Sequence, residues 1–247
     1  MSLTIIGAGP GDPALLAPRA AAALAVATDL VGYGPYLDRL HVRAGQTRHA
    51  SDNRAELDRA RHALTLAASG HRVAVVSAGD AGVFGMAAAV FEAVDAHPPW
   101  RTLDIEVVPG ISALLAAAAR LGAPLGHDFC AISLSDNLKP WPVVLDRLRA
   151  AAGAGFVITL YNPISRARPW QLGAAFDLLR TMLPGAVPVA YATAISRADE
   201  QVAITTLDAA DPAGADMRTL VLIGTAATRR IERPGAAPWL YTPRQYA

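Results

Sequence analysis

Cysteine is nearly absent from this chain: Cys130 is the only one in 247 residues. A structural disulfide and a thiolate metal site are therefore excluded within one chain; the lone thiol reads as a small buried hydrophobe, with a catalytic thiol as the alternative. The histidines His41, His49, His62, His71, His97 and His127 show no H-x-x-x-H or H-E-x-x-H spacing, so no metal is expected. Long apolar runs are missing too. Stretches such as Ala20–Ala27 are too short to cross a bilayer, and Leu3 already begins a strand. The expectation is a cytoplasmic protein with no signal peptide and no membrane anchor. A formal net charge of +1 gives no argument for nucleic acid or a membrane surface as partner. Aromatic residues make up 6%, which leaves the core to Ala, Val and Leu. Of 22 basic residues Lys139 is the only lysine, so the chain meets carboxylates chiefly with the planar fork of arginine.

What is present is a chain with 53% hydrophobic and 17% charged residues, long enough to bury a sizeable core. Its organising stretch is Val73 to Met86, V-A-V-V-S-A-G-D-A-G-V-F-G-M. A short apolar β-branched run reads as a buried parallel strand. It breaks into a turn with Gly79, Gly82 and Gly85, and an Ala-rich helix follows to Val94. Such a turn exposes backbone N–H groups at the carboxyl edge of a sheet, where open α/β sheets hold ligands. Asp80 is the only charge there. It repels a phosphate and suits a ribose hydroxyl or a cationic ligand.

Strand–helix alternation continues on both sides. Leu3–Ile6, Asp29–Val31 and Ile105–Val108 read as strands, with helices from Pro18 to Val26, up to Ala68, and over Ala113–Arg120. His41 to Asn53 is polar and irregular, a candidate substrate loop, and Asn53 is a candidate cap for the helix to Ala68. Gly and Pro break the pattern over Leu121–Phe129, which places a domain boundary between 122 and 123. Beyond it come strands at Ala131–Leu134, Phe156–Leu160, Val187–Ala192, Gln201–Thr205 and Thr219–Ile223, and helices at Pro142–Ala152 and Gln171–Leu183. Glu232 to Ala247 reads as a surface tail. The fold class is α/β, as two α/β domains, 1–122 and 123–247.

Gly7-Ala8-Gly9-Pro10-Gly11-Asp12 does not match a dinucleotide fingerprint. Asp12 occupies the third glycine position, and Pro10 and Pro13 each remove a donor. Together with S-A-G-D-A-G-V-F-G and V-V-P-G-I-S-A, however, it makes three turns at strand ends in one order. In that order they resemble the tetrapyrrole methylases, a family that includes uroporphyrinogen-III and precorrin methyltransferases. The resemblance runs over nearly the whole chain. Leu121–Trp141, Leu160–Arg168 (L-Y-N-P-I-S-R-A-R) and Gly32–Asp38 are similar to the branch that methylates carbon 17 of precorrin-3B. Phe84 stands where the family commonly has tyrosine. Ala194-Ile195-Ser196-Arg197 replaces a pattern closer to N-A-G-R, and Gly224–Thr228 replaces G-N-S-x-T.

The resemblance implies two α/β domains with a cofactor cleft between them and S-adenosylmethionine as methyl donor, S-adenosylhomocysteine being the product. It implies methyl transfer to carbon 17 of precorrin-3B with ring contraction to precorrin-4, in cobalamin biosynthesis, by a homodimer and without metal. Carried over residue by residue, Pro10, Ala78, Gly79, Asp80, Val83, Ser112, Ala113 and Tyr161 line the cofactor, with Ala194 or Ile195 and Thr219 as further candidates. Ring contraction needs a base for a ring hydroxyl, and His127 and Asp128 are the candidates, with Ser135 and Asp136 behind them. The alternative for the first pair is structural, His127 capping a turn and Asp128 the next strand; the residues alone do not choose. Arg43, Arg48, Arg54, Lys139, Arg166 and Arg168 lie in loops suited to substrate carboxylates. Rival functions are a sister precorrin or cobalt-precorrin methyltransferase with another target carbon, and a non-catalytic tetrapyrrole carrier.

Overall fold

A computed structural model describes residues 2–245. The chain forms two compact units, Met1–Ala113 and Leu114–Ala247.

The elements of unit 1 are β1 (Ser2–Gly7), α1 (Pro18–Val26), β2 (Asp29–Tyr33), α2 (Gly34–Leu37), β3 (Thr47–Ser51), α3 (Glu56–Ala68), β4 (Arg72–Ser77), α4 (Met86–Ala96) and β5 (Asp104–Val108). Its sheet runs β3-β2-β4-β1-β5 and every pair is parallel. Parallel strands need covered faces, hence the continuous apolar runs. Leu3, Ile5, Val73 and Val75 point to a core with Ala63, Leu64 and Val90 of α3 and α4. Ile6, Ala74 and Val76 point the other way, to Ala20 of α1 and Leu37 of α2. All strands share one direction, so the turns after β1, β4 and β5 leave from one edge.

Two expectations change here. The 41–53 stretch is not all loop: Thr47–Ser51 pairs with β2 as an edge strand. Its polar residues hid it, since an edge strand facing water needs no apolar alternation. Asn53 does not cap α3. Its Oδ1 accepts the N–H of Arg54 at 3.0 Å, and the helix starts after Ala55 with no side-chain cap, Glu56 and Asp58 supplying negative charge to its first turn.

In unit 2, α5 (Ala113–Leu121) leads to β6 (Gly122–Ala123), β7 (Phe129–Ser133), α6 (Trp141–Gly153), β8 (Val157–Tyr161), α7 (Gln171–Arg180), β9 (Pro188–Thr193), β10 (Gln201–Thr206), β11 (Thr219–Ile223), β12 (Arg229–Arg233) and β13 (Ala236–Tyr241). The main sheet runs β10-β9-β11-β8-β7. Only β7 and β8 are parallel, and the other pairs are antiparallel. Phe176 anchors the core on the α6 and α7 side, with Leu148, Ile158, Leu160, Val189 and Val221. Val157, Ala190 and Leu222 pack the other face with Leu121 and Leu240. The expected surface tail is instead the hairpin β12–β13, and β13 pairs in parallel with β6; Tyr246 and Ala247 lie outside the described residues. The helix expected to Leu183 ends at Arg180, and the chain then turns toward Pro184.

Candidate active site

At the carboxyl edge of the first sheet three turns are knitted together by backbone. Gly9 and Gly79 exchange N–H···O bonds of 3.0 and 2.8 Å, and Ala8 N–H donates to Ser77 O at 2.8 Å. The third turn joins through a side chain. Asp80 Oδ1 accepts from Gly82 N–H at 2.8 Å, and Oδ2 accepts from Gly110 N–H at 2.9 Å. The sequence assigned this carboxylate to a ligand, but its first role is to brace two motifs; each oxygen keeps a further lone-pair direction for a hydroxyl. Glycine is required where backbones touch. A Cβ on Gly110 meets Gly79 O at 2.3 Å and Gly7 O at 2.5 Å, whereas Gly82 is exposed and its Cβ meets only Asp80 Oδ1 at 3.3 Å. Gly79 has φ +64° and Phe84 φ 52°. For an aromatic residue that is the sparsely allowed left-handed region, a strain that collects at ligand-holding loops.

Of the residues expected here, Ala78, Gly79, Asp80, Val83 and Ala113 are partly accessible, while Pro10 and Ser112 are buried. The N–H groups of Asp80 and Val83 have no acceptor among the described residues. A turn that offers backbone donors, hydroxyl-accepting lone pairs and no cation fits an adenosyl ligand, with its nitrogen acceptors and ribose hydroxyls. It does not fit a pyrophosphate.

Tyr161, Ala194 and Thr219 come together at one edge of the unit 2 sheet, because β9 ends and β11 begins there: Thr219 faces Thr193 across the ladder. Tyr161 Oη accepts the N–H of Leu114 at 3.0 Å, in the first turn of α5. Thr219 Oγ1 lies 2.7 Å from Thr193 Oγ1, 2.9 Å from the N–H of Asp216 and 3.0 Å from Asp216 Oδ1. These contacts use the one proton and both lone pairs of the hydroxyl, and the backbone N–H of Thr219 also donates, to Asp216 O at 3.2 Å. Burial alone raises the pKa of Asp216, but bonds from the Arg218 backbone and guanidinium and from Thr219 outweigh it and hold the carboxyl below its usual range. Ala194 (φ 49°) and Ser196 (φ 62°) both adopt the left-handed conformation, and Glu200 accepts the Ser196 N–H at 2.7 Å.

His127 and Asp128 are not brought to this edge. Phe129 pairs with Val157 and Ser133 with Tyr161, so the His127–Asp128 pair stands at the amino end of β7, roughly 16 Å from Tyr161's end at about 3.3 Å per residue. There His127 Nδ1 accepts the N–H of Asp128 at 2.7 Å, and Asp128 O receives the N–H of Val157 at 3.0 Å. These bonds use the His127 ring and the Asp128 backbone, while the Asp128 carboxylate lies 3.7 Å from His127 Nδ1. Asp136 is at the carboxyl end, accepting from Gln171 Nε2 at 3.2 Å.

The tetrapyrrole (corrin/porphyrin) methylase model matches residues 2–211. The chain belongs to that family. A precorrin-3B C(17)-methyltransferase from Sinorhizobium sp is 58% identical over 100% of this chain and 97% of its own. The crystal structure of the methyltransferase CobJ superposes with a TM-score of 0.94 at 51% identity, covering 98% of this chain and 99% of that one. The uroporphyrin-III C-methyl transferase of Thermus thermophilus, complexed with S-adenyl homocysteine, shares the fold with a TM-score of 0.69 at 22% identity, over 91% and 97% of the two chains.

Two features of this tetrapyrrole methylase escaped the sequence. Lys139 donates to Ser133 O at 2.7 Å, and Asn162 Nδ2 to Ser133 Oγ at 2.9 Å; nothing in their spacing marks a pairing between the exits of two strands. At the amino edge of the first sheet, buried Asp29 takes His49 Nε2 at 2.8 Å and His71 Nδ1 at 2.7 Å, and His62 Nε2 lies 3.0 Å from His49 Nδ1. A search for metal motifs misses such a cluster because its histidines come from separate elements.

Proposed function

We propose that this methylase transfers the methyl group of S-adenosylmethionine to carbon 17 of precorrin-3B, with contraction of the macrocycle to precorrin-4, in cobalamin biosynthesis. The observation that carries the reading is the 58% identity, over the full chain, to a protein bearing that activity in its name. The glycine turns add support, because they offer backbone where a folded adenosyl ligand needs close approach. When bound, the cofactor supplies an electrophilic methyl group on a sulfonium sulfur.

The work of the chain is then to bind, orient and exclude water. Ala78, Gly79, Asp80, Val83 and Ala113 form the accessible wall for the cofactor in unit 1, with Pro10 and Ser112 behind them. Tyr161, Ala194 and Thr219 are the residues of unit 2 assigned to the cofactor, Thr219 through its backbone carbonyl. No side-chain nucleophile is required. Loss of a ring hydroxyl proton does require a base, and Asp136 takes that assignment in place of His127 and Asp128, because it lies in the loop leaving β7 at the Tyr161 edge. Homodimeric assembly in the cytoplasm belongs to the same proposal, and sedimentation tests the first part.

Incubation with S-adenosylmethionine and precorrin-3B, with the product read by mass and carbon NMR, tests the reading. One added methyl at carbon 17 and a contracted ring are expected. A methyl at another carbon means a sister enzyme, and S-adenosylhomocysteine binding without product means a carrier.

A further inference from the structure

Lys139 lies in the loop between β7 and α6. Its Nζ donates to Ser133 O at 2.7 Å, which uses one of the three N–H bonds of an ammonium. The other two have no acceptor among the described residues, and no carboxylate there pairs with the charge. Asp136, the nearest acid in sequence, is engaged by Gln171. Lys139 is also half-buried. Burial draws its pKa down, and repulsion from Arg147 draws it further in the same direction. A cation that is partly desolvated and uncompensated is stabilised by an anion placed against it.

Two further observations point to the same spot. The 13-residue helix α6 starts at Trp141, behind Pro140, with no side-chain cap and no acid in its first turn. Val143 N–H there donates to Pro140 O at 3.1 Å, and the positive helix end two residues after Lys139 has no acidic side chain to offset it. The surroundings are apolar as well: Leu138 is 99% exposed, and the half-exposed Trp170 meets Trp141 edge to face at 4.9 Å. The carbonyl that holds Lys139 is itself fixed, because Ser133 Oγ receives Asn162 Nδ2 at 2.9 Å.

We propose that Lys139 and the amino end of α6 form a carboxylate subsite, which receives one acidic arm of a flat, apolar macrocycle. The proposal rests on the tetrapyrrole substrate named above and adds to it which residue reads the substrate's acidic rim. Since Lys139 is the only lysine, it can be observed singly.

The test uses the full chain labelled with [13C]lysine, which gives one side-chain Cε resonance. Uroporphyrin, an octacarboxylate macrocycle, serves as probe and inorganic phosphate as control. Uroporphyrin is expected to shift the resonance and to raise its titration midpoint, as a carboxylate beside an ammonium does. Lys139→Met is expected to weaken uroporphyrin binding and raise KM for precorrin-3B about tenfold or more, with kcat nearly unchanged; Lys139→Arg restores most of the affinity. A resonance unmoved by uroporphyrin overturns the subsite. So does an equal response to phosphate, or a Lys139→Met protein with wild-type KM. If the wild type methylates precorrin-3B while Lys139→Met is indistinguishable from it, the subsite falls and the function stands. If the wild type does not methylate precorrin-3B but uroporphyrin still moves the resonance, the subsite stands and the substrate assignment falls.

Discussion

Asp80 accepts the backbone N–H of Gly110 at 2.9 Å, so one carboxylate holds the turn after β4 against the turn after β5. Asp80→Ala leaves the N–H groups of Gly82 and Gly110 without their acceptor. A charged acceptor lost in this way typically costs about 1.5–3 kcal/mol. Thermal melts are expected to record that loss, and calorimetry a weaker affinity for S-adenosylhomocysteine. An unchanged melting temperature would show that the brace carries no energy.

The glycines separate packing from binding. Gly110→Ala forces a Cβ to within 2.3 Å of Gly79 O, and neither backbone can yield without moving its motif. The variant is expected to lose stability and ligand binding together. Gly82→Val faces only Asp80 Oδ1, at 3.3 Å from its Cβ position, so its circular dichroism spectrum stays close to that of the wild type while S-adenosylhomocysteine affinity collapses. Retained affinity would place the ligand away from this turn.

Ser196 and Ala194 carry left-handed backbone without being glycine, at φ 62° and 49°. These are the positions where the family pattern N-A-G-R offers glycine and asparagine, residues that tolerate this region. Ser196→Gly is expected to gain about 1 kcal/mol, read as a higher urea midpoint at constant slope. A lower midpoint would mean that the serine side chain contributes more than its backbone costs.

Acid should act through Asp29. Burial raises its pKa, but bonds from Thr28, His49 and His71 outweigh this and lower it from 3.8 to about 2. A depressed carboxylate stabilises the fold fully above its unfolded value, and that contribution is lost as pH falls through the folded one. The expected loss is about 2 kcal/mol between pH 5 and pH 2, seen in urea midpoints. Asp29→Asn should be less stable at neutral pH and should lack that part of the acid limb.

Turnover distinguishes the two candidate bases. Asp136→Asn is expected to slow product formation by roughly a hundredfold to ten-thousandfold, the usual range for a general base. A methylated, uncontracted macrocycle should then accumulate. His127→Ala, which removes a turn cap far along β7, should lower the melting temperature and leave kcat within a few-fold. The reverse pattern would return the chemistry to His127.

Buried strands were readable because apolar content alone marks them. Val73–Val76 and Thr219–Ile223 lie within β4 and β11 as found. The strands missed were those that need no apolar signature: polar β3 at a sheet edge, and β12–β13, whose prolines and charges suggested a tail. The turns themselves were legible, since glycine recurs at the exits of β1, β4 and β5. Its wiring was not. Asp80 to Gly110 spans 30 residues and Asn162 to Ser133 spans 29, and no local pattern encodes a hydrogen bond between distant loops. The place of His127 and Asp128, at the amino end of β7, was not legible either: adjacency to a signature motif does not say at which end of a strand a residue stands.

The parallel pairing of β13 with β6 governs the order in which the chain can fold. Every strand of the first sheet is made by Val108, so unit 1 can close its sheet early in synthesis. The loop after β6 is locked only when Thr242 donates to Pro124 O, a contact 118 residues apart in sequence. Translation must therefore deliver almost the whole of unit 2 before that loop has its partner, while an already folded neighbour waits on the same nascent chain.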